Sequence, residues 1–107
     1  MADTIKALAD GQLAAAKATI YTAPALTSTI VTSIILVNTG AGANAVNLYY
    51  KKSAGTSRRI CPKDLSMAIG AAFEDIPPFN IEAGGLIEGD ATNATEVDYV
   101  ISGIEHT

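Results

Sequence analysis

The chain contains one cysteine, Cys61, and one histidine, His106, so thiol or imidazole catalysis would have to use this pair. A nucleophilic thiol needs a base within hydrogen-bond reach and a third group that orients the base. Cys61 falls in a predicted strand just before Pro62, where a lone cysteine is typical of a small buried side chain. His106 is the penultimate residue, and no orienting group stands out. The sequence therefore predicts no catalytic residues and a protein that is not an enzyme.

Acidic side chains crowd the C-terminal third of the chain at Glu82, Glu88, Asp90, Glu96 and Asp98. Carboxylate oxygens are the ligands that calcium prefers, so a calcium site is one interpretation and a solvated acidic loop end is the other. The spacing matches no EF-hand loop, and a zinc site would need several cysteines or histidines. We therefore predict no metal and no cofactor.

The glycine-containing segment Gly40-Ala41-Gly42 follows a predicted strand, as a phosphate-binding loop would. Neither a helix nor a Gly-Lys-Ser/Thr sequence follows it, so the motif is incomplete. We interpret the segment as a flexible turn.

Four basic residues lie close together in one predicted hairpin, beside Tyr49 and Tyr50, at Lys51, Lys52, Arg58 and Arg59. Basic and aromatic side chains on a sheet can bind single-stranded nucleic acid. The patch is small, however, and the formal net charge of the protein is -4. A solvated strand edge or a contact with an acidic partner explains the cluster equally well, and we predict no nucleic-acid partner.

The composition limits the protein to one small domain with few charges. Its 107 residues are 49% hydrophobic and 17% charged, and Ala, Gly, Ser and Thr make up over two-fifths of the chain. This is too apolar for a disordered chain, and one cysteine excludes a disulfide scaffold. No apolar run reaches the length of a membrane span and the N-terminus has no secretory pattern, so we expect no membrane contact and synthesis in a cytoplasm.

Alternating apolar and polar residues recur at short intervals between turn residues, which is the pattern of an all-β protein. The predicted strands are residues 18–23, 29–39, 45–52, 56–61, 65–69, 73–76, 79–82, 86–90 and 97–104. The spacing predicts a single small antiparallel β-sandwich, jelly-roll-like and with about eight strands. We assign residues 18–107 to this domain and residues 1–17 to an N-terminal arm, either helical or extended.

The segment from Thr29 to Thr39 is the strongest predicted strand. Strict alternation gives it two apolar faces, one with Ile30, Thr32, Ile34 and Leu36 and the other with Val31, Ser33, Ile35 and Val37. We expect this strand to be buried on both sides or to lie at a subunit contact.

Three segments carry a family resemblance: Ala18–Pro24 leading into Ile30–Gly40 (ending in Asn-Thr-Gly), Ile81–Ala91, and Val97–Gly103. They resemble small β-sandwich virion structural proteins of tailed bacteriophages. The resemblance implies a non-enzymatic capsid decoration (cement) protein that binds the head lattice and stabilises it. It also implies a location on the capsid surface, synthesis in the host bacterial cytoplasm, and the major capsid protein or other virion proteins as partners. Self-association is expected, with a trimer favoured.

Two other functions remain open at this point. The chain could be a tail, collar or fibre-associated virion protein, or a carbohydrate-binding module that uses Tyr21, Tyr49, Tyr50 and Tyr99 as its aromatic platform. For the decoration protein, we predict that the partner contacts Ile5, Leu8 and Leu13 of the arm. We also predict that Lys51, Lys52, Arg58 and Arg59 face an acidic capsid surface.

Overall fold

The computed structural model describes residues 3–107, which form ten β-strands and no helix. The strands are β1 (Asp3–Gln12), β2 (Ala18–Thr22), β3 (Ser28–Asn38), β4 (Asn44–Lys51), β5 (Arg58–Arg59), β6 (Leu65–Met67), β7 (Ala72–Phe73), β8 (Phe79–Ile81), β9 (Leu86–Ala91) and β10 (Val97–His106). Within the described range, no helix is long and apolar enough to cross a membrane.

The strands form two antiparallel sheets that pack face to face. The first sheet has the order β1-β10-β3, with β7 and β8 both paired to β3; the second has the order β2-β9-β4, with β5 and β6 both paired to β4. The pairs are nested along the chain, because β1 pairs with β10, β2 with β9, β3 with β8 and β4 with β6. A long hairpin rolled up in this way is a double-sheet jelly roll, which confirms the predicted fold class.

The core lies between the two sheets and is built from the inward side chains of alternate positions. On β4, Val46 and Leu48 are fully buried, as the alternation predicts. The remaining large, fully buried aliphatic side chains come from the strands that face or flank β4 and from the segment after β1: Leu13, Val31, Ile34, Leu36, Ile81, Ile87, Val97 and Ile101.

A β-bulge in β3 changes which residues face the core. Ser33 lies opposite Ser102 but Val31 lies opposite Gly103, so Thr32 is the extra residue. Before the bulge the odd-numbered Val31 is buried, and after it the even-numbered Ile34 is buried. The prediction that Ile30 shares a face with Ile34 was therefore wrong, because an inserted residue reverses the alternation.

The N-terminal segment is extended rather than helical. Strand β1 pairs with β10 along its length, from Asp3 opposite His106 to Gln12 opposite Asp98. Leu13, which follows β1, is fully buried in the core. Residues 1 and 2 lie outside the described range. The division of the chain into an arm and a sandwich stays a prediction.

Candidate functional site

The outer face of the first sheet carries a row of isoleucines across three strands. Ile5 on β1 lies opposite Ile104 on β10, which lies opposite Ile30 on β3. Ile5 is 84% exposed and Ile30 is 44% exposed, and Val100 on the same face of β10 is 41% exposed. Single exposed aliphatic side chains are ordinary, whereas a contiguous group of them is typical of an interaction surface. We call Ile5, Ile104 and Ile30 the outer isoleucine row.

A cavity of about 320 Å³ opens beside this row, where β1, β10, β3 and β8 end. Apolar side chains of Ile30 and Ile104 line it, and the carboxylates of Asp3 and Glu82 lie at its border. His106 also borders the cavity and is paired with Asp3. Glu82 is exposed and its side chain makes no hydrogen bond or ion pair among residues 3–107. We call this cavity with its two carboxylates the acidic groove.

Strands β4 and β5 form the predicted hairpin, with Tyr50 opposite Arg58, and its turn is basic. Lys51 is the last residue of β4, and Lys52 begins the exposed turn. Within the described part of the chain, Lys51, Lys52 and Arg58 make no ion pair with a carboxylate. We call these three residues the basic turn.

Arg59, the fourth predicted basic contact, is held by its own sheet instead. Its guanidinium donates to Asn47 Oδ1 at 2.5 Å and lies 5.0 Å from the centre of the Tyr49 ring. Lys17 Nζ lies 4.4 Å from the same ring centre. These two cations cover Tyr49, which is only 9% exposed although it points away from the core.

Sequence reasoning missed the polar cluster around Asn47 on the outer face of the second sheet. Asn47 donates to Asp64 Oδ1 at 3.0 Å and to Asp90 Oδ1 at 2.9 Å, and its own Oδ1 accepts the Asp64 amide at 2.9 Å. Burial and the nearby Asp90 carboxylate raise the pKa of Tyr49. Alternation places Asn47 outward, but its partners come from other strands and loops, so only the fold could show that it is buried.

A second polar cluster ties both sheets together at the end where the acidic groove opens. Tyr21 on β2 donates to Glu105 Oε2 at 2.6 Å, and Lys6 on β1 donates to Glu105 Oε1 at 3.1 Å. The single hydroxyl proton of Tyr21 is used in its hydrogen bond to the carboxylate. In the 2.9 Å contact between the two hydroxyl groups, Thr29 is therefore the donor and the tyrosine oxygen is the acceptor. Burial, with the Glu105 carboxylate as a further cause, raises the pKa of Tyr21 to about 12. The hydrogen bond from Tyr21 is the largest cause that lowers the pKa of Glu105.

The two groups with potential for nucleophilic chemistry have separate partners. The Cys61 thiol is buried and lies 3.6 Å from the Pro62 carbonyl oxygen, and its burial raises its pKa. His106 pairs with Asp3 at the groove. No hydrogen bond joins Cys61 to His106.

The acidic residues considered for calcium are mostly engaged with neutral donors. Glu88 accepts from Ser57, Asp90 from Asn47, and Glu96 from Asn44. Over residues 3–107 there is no group of three or more His, Cys, Asp or Glu side chains positioned to hold a metal ion.

The arm residues predicted as partner contacts differ in accessibility. Ile5 is 84% exposed, Leu8 is half-buried against the core, and Leu13 is fully buried. Ile5 is therefore the most accessible of the three, and Leu13 is not accessible to a partner without a change in the fold.

The tyrosines considered as a sugar platform are all buried or half-buried. Tyr21 and Tyr49 are less than a tenth exposed. Tyr50 packs edge-to-face on Phe79 with ring centres 5.8 Å apart, and Tyr99 packs against the core. A stacked sugar needs an open ring face, and the described part of the chain offers little of one on these side chains.

No family model matches the chain, and no curated protein matches it. The solved structures that match include three of infectious bursal disease virus: the Gt strain (11% identity, TM-score 0.43), the Gx strain (16%, 0.44) and the VP2 subviral particle (14%, 0.46). Each match covers 97% of this chain and 32% of the other, so this chain spans about a third of the length of those chains. At these identities and TM-scores the similarity adds nothing to the argument about function.

Proposed function

We propose that the chain is a virion structural protein of a tailed bacteriophage, a capsid decoration protein that binds the head lattice and stabilises it. The observation that supports this function best is the outer isoleucine row, together with Val100 on the same face. Complete burial of one isoleucine side chain contributes about 1.5–3 kcal/mol. A lattice repeats such a contact at every site, so a modest contribution from each copy adds up to a large resistance to expansion of the head.

The fold by itself does not select this function, because jelly rolls also occur in lectins and cupins. The resemblance of residues 18–40, 81–91 and 97–103 to phage virion proteins supports the decoration protein. The buried tyrosines argue against the carbohydrate-binding alternative. A tail, collar or fibre position would use the same apolar face, so the two placements differ only in where the chain is found on the particle.

The proposed contact predicts that polar substitutions on the outer face weaken binding to heads. The combined variant Ile5→Ser and Val100→Ser removes two exposed aliphatic side chains, and we expect at least about a tenfold rise in the dissociation constant, since 1.4 kcal/mol corresponds to tenfold. The measurement is co-sedimentation of the labelled protein with phage heads that lack it. Ile69→Ser is the matched control, because Ile69 is 65% exposed in the loop before β7.

Two results would contradict this proposal. One is absence of the chain from purified virions. The other is equal head binding by the outer-face variant and by the Ile69→Ser control. Cryo-electron microscopy that places the chain on the tail or collar would support the alternative virion position instead.

A further inference from the structure

We propose that the basic turn of one copy docks on the acidic groove of a second copy, so that copies of this chain associate with one another. The inference rests on the proposed function and deepens it. It assigns the acidic partner of Lys51, Lys52 and Arg58 to a neighbouring copy of the same chain rather than to the capsid.

The acidic groove has the features of a receiving site for a long basic side chain. Its volume of about 320 Å³ is partly walled by the apolar side chains of Ile30 and Ile104. The carboxylate of Glu82 borders it and has no partner among the described residues. An apolar wall with a carboxylate at the border matches a lysine or arginine, whose methylene stem packs on apolar surface while its charged end reaches an acid.

The basic turn provides the matching charges. Lys51, Lys52 and Arg58 lie together in a protein of formal net charge -4, yet none of them pairs with a carboxylate of its own chain within residues 3–107. Lys6, by contrast, is paired with Glu105 at 3.1 Å. Complementary patches of opposite sign steer two molecules together and set their relative orientation.

The two patches are neighbours at one end of the sandwich. Lys51 ends β4 opposite Leu86 at the start of β9, and Glu82 follows Ile81, the last residue of β8. The loop after Glu82 lies against the basic turn, since a Cβ added at Gly84 would meet Ser53 Oγ at 2.9 Å. This end of the molecule therefore presents both patches to a second copy.

The experiment is sedimentation velocity of the purified full-length chain across a concentration series at low salt. We expect self-association that weakens as salt is raised, because salt screens the charges. Lys52→Glu and Glu82→Lys each place like charges across the contact, and each should raise the dissociation constant at least about tenfold. A chain that carries both substitutions restores opposite charges and should associate again.

Each variant has a matched control of the same charge change. Lys63→Glu replaces an exposed lysine outside the basic turn, and Glu74→Lys replaces an exposed glutamate outside the groove. Both controls should associate as the unsubstituted chain does, and circular dichroism should show every variant folded.

The outcomes separate this inference from the proposed function, because head binding is measured on the same proteins. The inference is wrong if the chain is a monomer at all concentrations and on heads. It is also wrong if neither Lys52→Glu nor Glu82→Lys weakens the self-association. Loss of head binding by Lys52→Glu without any change in self-association also overturns it, and identifies the capsid as the partner of the basic turn. In each case the Ile5 and Val100 result for head binding still decides the proposed function on its own.

Discussion

A single carboxylate, that of Glu105, connects three strands from both layers of the sandwich. Glu105 lies on β10, and its carboxylate accepts hydrogen bonds from the Tyr21 hydroxyl on β2 and from the Lys6 ammonium group on β1. Its side chain is 13% exposed, so water cannot easily replace these partners. Hydrogen bonds to a charged group contribute about 1.5–3 kcal/mol, more than bonds between neutral groups.

This arrangement predicts a stability that depends on pH. The pKa of Glu105 is lowered in the folded protein, so its contribution is present above the unfolded pKa of about 4.3 and is lost as the pH falls through the folded value. Glu105→Gln should therefore cost about 1–2 kcal/mol at pH 7, and the difference from the unsubstituted protein should shrink towards pH 3. Urea denaturation at both pH values measures this.

The control is Glu74→Gln, since Glu74 is exposed and its side chain makes no described contact. It should change the free energy of unfolding by less than about 0.5 kcal/mol at either pH. A Glu105→Gln loss that is the same at pH 3 as at pH 7 would refute the role given to the ionised carboxylate.

Individual residues were predictable from the sequence where only the strand's own alternation mattered. Val46 and Leu48 face the core and Asn47 and Tyr49 face outward, as the pattern of β4 indicates. The pattern could not show that Asn47 is buried on the outer side, because Asp64, Asp90 and Arg59 reach it from other parts of the chain. For the same reason the sequence alone could not distinguish Arg59 from the unpaired Lys52.

At the scale of the element, the longer strands were predictable and the irregular ones were not. Predicted residues 29–39 and 97–104 correspond to β3 and β10, whose β-branched residues alternate over a long run. Strands β5 and β7 are each only two residues long, because β5 pairs with β4 and β7 pairs with β3 over just two positions at the edges of the two sheets. The bulge at Thr32 left no sign in the sequence, since an extra residue in a run of β-branched side chains looks like regular alternation.

Strand β1 gives a prediction that tests where the arm ends. Deletion of residues 1–11 removes most of edge strand β1 but keeps Leu13, which fills the core and bonds through its amide to the Val97 carbonyl oxygen at 2.9 Å. Deletion of residues 1–16 also removes this side chain, and we expect a further loss of about 2–5 kcal/mol. Thermal and urea denaturation of the two truncated proteins measure the difference.

Leu13→Ala in the full-length chain is the matched control, and its loss should be close to the difference between the two truncations. If the two truncated proteins are equally stable, Leu13 does not anchor the segment and the arm extends to residue 17 as the sequence suggested.

At the scale of the whole molecule, the nested pairing places the ends of the chain side by side. Asp3 lies opposite His106, and only the pairs around β4 are local. Proteins whose contacts join distant parts of the chain fold slowly, because loop closure must precede those contacts.

A circular permutant tests this effect of topology. A short linker from residue 107 to residue 1, with new ends in the exposed turn at residues 53–56, makes β1 and β10 a local hairpin and separates β4 from β5 and β6 in the sequence. We expect refolding at least several times faster than that of the original chain, measured by stopped-flow fluorescence of the tyrosines. A linear chain with the same linker residues added at its end is the control, and equal refolding rates for the two proteins would contradict the prediction.

The adjacency of the two ends also determines how this protein can be labelled. Asp3 and His106 both border the acidic groove, so an affinity tag or fluorescent protein fused to either end would stand over that cavity. A tag at either end would therefore cover the groove, and we expect the tagged chain to be a monomer even where the untagged chain associates. The turn at residues 41–43 lies between β3 and β4 at the opposite end of the strands, and a Cβ added at Gly42 meets no atom within 4 Å. A small reporter inserted there would leave the groove open.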